Sequence, residues 1–154
     1  MSSQEGAAGP DGTGAKRITK VLVHIDGGAR GNPGPAAAAA VLSSPAGEIL
    51  DESSRFLGRV TNNVAEYHGL LLGLERASAL GASEVEVIND SELIAKQVQG
   101  LYKVKHEDMR RLHSQSMAAL KSFERWSIRS VPRAQNAEAD ALVNAELDQQ
   151  RLTA

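Results

Sequence analysis

The stretch Lys20–Ser43, KVLVHIDGGARGNPGPAAAAAVLS, decides how the chain is read. Its first seven residues, Lys20–Asp26, form a β-branched run that halts at Gly27-Gly28, the pattern of a strand buried on both faces rather than an edge. A turn is expected at once in GGARGNPGP, and Ala36–Ser43 reads as a second strand. Ile49–Leu57 reads as a third, set off by SPAGE, whose Pro45 and Gly47 are turn residues. Three consecutive antiparallel strands follow. From Asn62 the period becomes helical: Gly69, Leu70, Gly73, Leu74, Ala77 and Leu80 make one small-and-apolar stripe, and Gly81 stands where a C-cap glycine belongs. The glycines in that stripe imply close packing. Glu84–Asp90 is a fourth strand, followed by a short helix over Ser91–Gln99 that Gly100 ends. A helix over Glu107–Glu124, a fifth strand over Trp126–Val131 closed by Pro132, and a last helix from Asn136, its N-cap, to about Gln150 complete the order βββαβααβα. The fold class is α/β, with a mixed sheet carrying helices on its faces. Residues 1–17 are rich in Gly, Ser and Ala without periodicity and read as a disordered leader. Residues 18–150 read as one domain, and 151–154 as a short tail.

Composition narrows the chemistry. The 154 residues include no cysteine, which excludes disulfides, thiolate zinc sites, iron–sulfur clusters and a cysteine nucleophile. Any metal must be held by oxygen or imidazole. No apolar run approaches the roughly 18 residues of a membrane span, and the first residues lack the apolar segment of a signal peptide, so a cytoplasmic protein is expected. A net charge of -2 argues against a broad basic surface but leaves room for a local patch.

Most of the acids fall in turns or on solvated faces. Four do not. Asp26 and Asp90 end strands that otherwise read as buried, Glu66 heads the buried stripe of its helix, and Asp140 shares a helical face with Val143, Asn144 and Leu147. Each has an ordinary explanation alone: Asp26 as a turn residue, Asp90 as an N-cap, Glu66 and Asp140 as first-turn acids. Together they carry a different meaning, since charges aimed at apolar packing are costly unless paired or metal-bound. No run of Lys or Arg lies on those faces. A carboxylate cluster of this kind suits hard divalent ions such as Mg²⁺ or Mn²⁺.

Four blocks, DGGARGNPGP, TNNVAEYHGLLLGL, NDSELIAKQVQGLYKVK and PRAQNAEADALVN, resemble those of ribonuclease HI in its archaeal and partly bacterial form, and the resemblance spans about Ile18 to Asp148. It implies an RNase H-like fold, a five-stranded mixed sheet flanked by helices. It also implies endonucleolytic cleavage of the RNA strand of an RNA–DNA hybrid, and it lays the four metal-binding, catalytic acids of the family on Asp26, Glu66, Asp90 and Asp140. Two Mg²⁺ ions roughly 4 Å apart, with Mn²⁺ a possible substitute and Asp26 bridging them, would yield 5′-phosphate and 3′-hydroxyl ends. Substrate contacts by resemblance are the backbone amides of Gly27, Gly28 and Ala29, the side chains of Asn62 and Asn63, and Gln97. The residue-level alternatives are a plain tight turn, a helix N-cap and a solvent-facing glutamine. Where many relatives have a histidine, ten residues before the last aspartate, this chain has Ser130, which supplies no near-neutral proton acceptor. Neighbouring Arg133 offers charge for a phosphate. None of His24, His68, His106 and His113 replaces that histidine; His24 reads as sheet interior. A long basic protrusion found in some relatives is missing, and Lys103 and Lys105, next to Tyr102, stand in its place as phosphate contacts. The expected partner is an RNA–DNA hybrid, with no organic cofactor, no membrane and a monomeric chain. A non-cleaving hybrid-binding module, or another nuclease of the superfamily, is the alternative.

Overall fold

The computed structural model describes residues 19–153, so the leader read over 1–17 lies outside the described residues. Five strands, β1 Lys20–Ala29, β2 Gly34–Ser43, β3 Ile49–Val60, β4 Glu84–Asn89 and β5 Arg125–Ser130, form one mixed sheet in the order β3-β2-β1-β4-β5. The β1–β2 and β2–β3 pairs are antiparallel, and the β1–β4 and β4–β5 pairs are parallel. Four α-helices accompany them: α1 Asn62–Ala79, α2 Glu92–Val98, α3 Glu107–Lys121 and α4 Ala137–Thr153, the last entered through a 3₁₀ turn at Arg133–Asn136. No helix among the described residues is long and apolar enough to cross a membrane.

The core is divided by the sheet. On one face Val21, Val23 and Ile25 of β1 meet Tyr67, Leu70 and Leu74 of α1, with α3 closing over them through Leu112 and Leu120. On the other, Val143 and Leu147 of α4 sit on Ala37 and Ala39 of β2. The strand covered on both faces is therefore β2, whose five consecutive alanines, Ala36–Ala40, are all fully buried. On the second face of β1, Lys20, Leu22 and His24 are only half covered.

The first glycine pair does not turn the chain. β1 runs on through Gly27 and Gly28 to Ala29, still paired with Ala38, Ala37 and Ala36 of β2. The turn lies at Arg30–Pro33 and is closed by the Arg30 N–H donating to the Pro35 carbonyl at 2.9 Å. Gly27 is required by packing: a Cβ there would run into the backbone of Ala65 in α1. Gly69 and Gly73 do the same from the helix side, against the Asp26 carbonyl and Val23.

Two further expectations are corrected by caps. The N-cap of α1 is Thr61, whose side chain accepts from the Val64 N–H, so Asn62 and Asn63 are helical and Asn62 is free for other work. Asn136 caps nothing with its side chain; it lies in the 3₁₀ turn, buried, with Nδ2 donating to the Ile25 carbonyl at 2.8 Å.

Candidate active site

Parallel pairing of β1 with β4 ends at His24 and Ile88, and Asp26 and Asp90 each stand two residues further on. Both carboxylates therefore reach the crevice at the carboxyl ends of adjacent parallel strands, where α/β sheets place their ligands. Asp90 is free to do so because Ser91 caps α2, accepting from the Ile94 N–H at 3.3 Å. Glu66 enters from above. It sits in the second turn of α1, and its Oε1 accepts the Gly27 N–H at 2.7 Å while Oε2 lies 3.5 Å from Asn89 Nδ2.

One carboxylate oxygen from each of Asp26, Glu66 and Asp90 falls within 4.8 Å of the others. Asp26 and Glu66 are 6% and 5% exposed, so two like charges share a dry space. Burial above all pushes Asp26 up to about 6, with the Asp90 and Asp140 charges adding and contacts with Glu66 and the Gly27 amide opposing. Glu66 is raised well above the usual carboxylate range, first by burial and then by Asp26. The Asp90 Oδ2 is buried without a hydrogen-bond partner. Hard oxygen donors, an orphaned carboxylate oxygen and an electrostatic cost that a cation would remove make this triad one that could hold a metal ion.

Asp140 lies on the rim of the same cleft, outside the compact group. It has the cation that the chain's pattern did not show: Arg133 Nη2 meets its Oδ1 at 3.1 Å. Arg133 precedes the helix in the 3₁₀ turn, so no helical-face count would pair it with Asp140. The cleft, about 380 Å³, is lined by all four acids together with Gly27, Gly28, Ala29, Arg30, Asn62, Asn63, Arg133 and Asn144.

The amides expected to face a substrate are largely engaged within the protein. Gly27 N–H is taken by Glu66 and Ala29 N–H donates to Asn62 Oδ1 at 2.8 Å. Gly28 does open onto the cleft, since the nearest atoms to a Cβ there, Val143 Cγ1 and Asn62 Oδ1, stand 3.9 and 4.0 Å away. Asn62 is itself fixed, its N–H donating to Asn32 Oδ1 at 3.0 Å. Asn63 belongs to two surfaces, this cleft and a neighbouring depression of about 530 Å³ that also holds Gln97, Tyr102, Lys103 and Lys105. Gln97 is not a solvent-facing helical residue. It is 4% exposed, its Oε1 accepts from Tyr67 Oη at 2.7 Å, and its Nε2 donates to the Lys103 carbonyl at 3.4 Å. Ser130 is exposed at the end of β5, and no histidine lines the acidic cleft. His24 is half-buried beside Asn136 and Glu138 rather than interior. The sequence pattern pointed to no supporting role for Asn32, which holds the Asn62 amide, or for Asn89, which faces Glu66, and it marked Asn136 only as a cap, whereas Asn136 ties the 3₁₀ turn to β1.

A mixed five-stranded sheet with helices on both faces and clustered acids at its splayed end is the architecture of the RNase H-like proteins. A family model described as reverse transcriptase-like matches residues 24–146. The bifunctional protein Rv2228c of Mycobacterium tuberculosis is 47% identical over 130 residues, covering 84% of this chain and 36% of that protein. Ribonuclease HI of Halobacterium salinarum is 44% identical over 129 residues, covering 84% of this chain and 65% of its own length. The crystal structure of the Halobacterium RNase H1 matches with a TM-score of 0.83 over 84% of this chain and 98% of that one. A third, LC11-RNase H1 in complex with an RNA/DNA hybrid, has a TM-score of 0.81 and 40% identity over 84% of this chain and 98% of that one. The chain belongs to the ribonuclease HI family, and it spans about a third of the length of the mycobacterial protein and about two thirds of that of the Halobacterium enzyme.

Proposed function

We propose that this chain, through a domain over residues 18–150, is a metal-dependent endoribonuclease that hydrolyses the RNA strand of RNA–DNA hybrids, leaving 5′-phosphate and 3′-hydroxyl ends. The observation that carries the reading is the convergence of Asp26, Glu66 and Asp90 within 4.8 Å, with the Asp90 Oδ2 unpartnered. Family membership and the hybrid bound by a solved relative support the substrate.

Asp26, Glu66 and Asp90, with Asp140 from the rim, would hold two Mg²⁺ ions, Mn²⁺ being a substitute. When bound, such ions activate a water and stabilise the departing sugar oxygen. The chain's own groups do the rest. Glu66 is held by the Gly27 amide and Asn89, so its carboxylate is oriented before any ligand arrives. Gly28 leaves open space in the cleft, and Asn62, pinned between Ala29 and Asn32, would offer a fixed amide to the minor groove of a hybrid, where the 2′-hydroxyl distinguishes RNA from DNA. Arg133 brings positive charge to the rim for a phosphate. Lys103 and Lys105 extend that charge beyond Asn63.

The test is incubation of end-labelled hybrid, RNA duplex and single-stranded RNA with and without Mg²⁺ or Mn²⁺. Metal-dependent cleavage confined to the RNA of the hybrid is expected, and Asp26→Asn or Asp90→Asn should abolish it. Tight hybrid binding without cleavage would instead identify a binding module, the reading that Ser130 in place of histidine favours.

A further inference from the structure

Arg30, directly after β1, has no part in the chemistry described so far. It lines the acidic cleft yet forms no ion pair with any of the four acids. Its guanidinium is committed to α4. Nη1 meets Asp148 Oδ1 at 2.8 Å, and Nη2 donates to the Asn144 carbonyl at 3.4 Å and to Asn144 Oδ1 at 3.3 Å. These acceptors sit one helical turn apart, a spacing that a planar fork spans and an ammonium does not.

The consequence passes to Asn144. With Oδ1 turned to Arg30, its Nδ2 must face the other way, and it donates to the Asp140 carbonyl at 3.1 Å and to Asp140 Oδ2 at 3.5 Å. An amide with one fixed partner on each end has a fixed rotation. The apolar cluster between α4 and the sheet is small, Val143 and Leu147 on two alanines with Leu142 packed alongside. The polar line Asp148–Arg30–Asn144–Asp140 thus joins the first turns of α4 to the end of β1. Asp140 stands outside the compact triad, so its reach towards that triad depends on where these turns are held.

We infer that Arg30 is a positioning residue that acts through Asn144 to set the Asp140 carboxylate against Asp26, Glu66 and Asp90. The inference rests on the reading of Asp140 as the fourth acid of the site, and the test separates the two. Mg²⁺ alone is titrated into the full chain, without nucleic acid, by calorimetry. Asp140→Asn should weaken binding; if it does not, the site reading fails and the inference with it. Arg30→Ala and Asn144→Ala should each weaken Mg²⁺ binding about tenfold, at the lower end of what losing the support of a metal ligand brings. Their double variant should be no worse than the weaker-binding single, because both cut one line. Arg30→Lys should not restore affinity, and hydrolysis by Arg30→Ala should show a lower kcat with an unchanged KM for hybrid. Both residues are exposed, so the variants should fold, and the urea midpoint in EDTA checks this. Additive losses in the double variant would overturn the inference. So would unchanged Mg²⁺ affinity with weaker hybrid binding and a shallower salt dependence, which would make Arg30 a phosphate contact.

Discussion

The Gly27 amide donates to the Glu66 carboxylate at 2.7 Å, where the backbones of β1 and α1 come close together. Absence of a side chain at Gly27 and the orientation of Glu66 are thus a single fact. Gly27→Ala should force α1 away from the sheet, lowering stability by about 1–3 kcal/mol and taking the Glu66 hydrogen bond with it. Gly28→Ala meets nothing nearer than 3.9 Å, and should keep its stability while raising KM for hybrid. Urea unfolding and steady-state kinetics on both variants check this; equal stability of the two would remove the packing argument.

Asp26 makes stability depend on pH with a definite sign. Its carboxyl is raised to about 6 in the fold, from 3.8. The folded state therefore keeps its proton longer than the unfolded chain does, and the stability due to this group is lost as pH rises from about 4 to about 6. Asp26→Asn carries no charge to bury. The metal-free variant should become more stable than the parent by on the order of 2 kcal/mol above pH 6.5, with the gap closing towards pH 4. Saturating Mg²⁺ should narrow the gap at neutral pH. Thermal unfolding in EDTA across this range gives the answer, and a gap that widened on acidification would contradict the assignment.

Gln97 links the core to the basic segment. Gln97→Leu leaves the Tyr67 hydroxyl without its acceptor in a fully buried position, a loss of about 1–3 kcal/mol. It also releases the Lys103 carbonyl, so KM for hybrid should rise together with the fall in the unfolding midpoint. A fall in stability with KM untouched would separate Gln97 from substrate binding.

Lys103 and Lys105 line the depression beside Asn63. If both neutralise phosphates, changing both to Ala should flatten the salt dependence of hybrid binding by nearly two in the log–log slope, about 0.9 for each lysine. An unchanged slope would mean the pair is merely solvated.

Ser130→His places an imidazole at the exposed end of β5. It should raise kcat and add an inflection at about pH 6–7 to the rate profile. If rate and profile stay the same, this position does not limit turnover.

The element order, the mixed sheet and the meeting of four acids in one cleft were legible in the chain because each rests on local periodicity or on a charge placed against an apolar run. What was not legible depends on contacts distant in sequence. Asn62 looks as good a cap as Thr61, and only the Ala29 amide, 33 residues earlier, shows why it does other work. Gly27-Gly28 looks like a turn until α1 is laid across it. Gln97 looks solvated until Tyr67 reaches it from another helix, and Arg133 looks like a loop residue until the 3₁₀ turn carries it to Asp140.

The five buried alanines of β2 give this arrangement a hidden sensitivity. Ala39 is the register partner of Asp26, and Ala37 and Ala39 bear the weight of Val143 and Leu147, one and two turns beyond Asp140. The smallest side chains in the sheet therefore act as the spacer that sets how low α4 rides. A single added methylene at Ala37 or Ala39 would lift the helix, because close-packed interiors have no slack to absorb it. Residues with no chemistry of their own thus govern the gauge of the site.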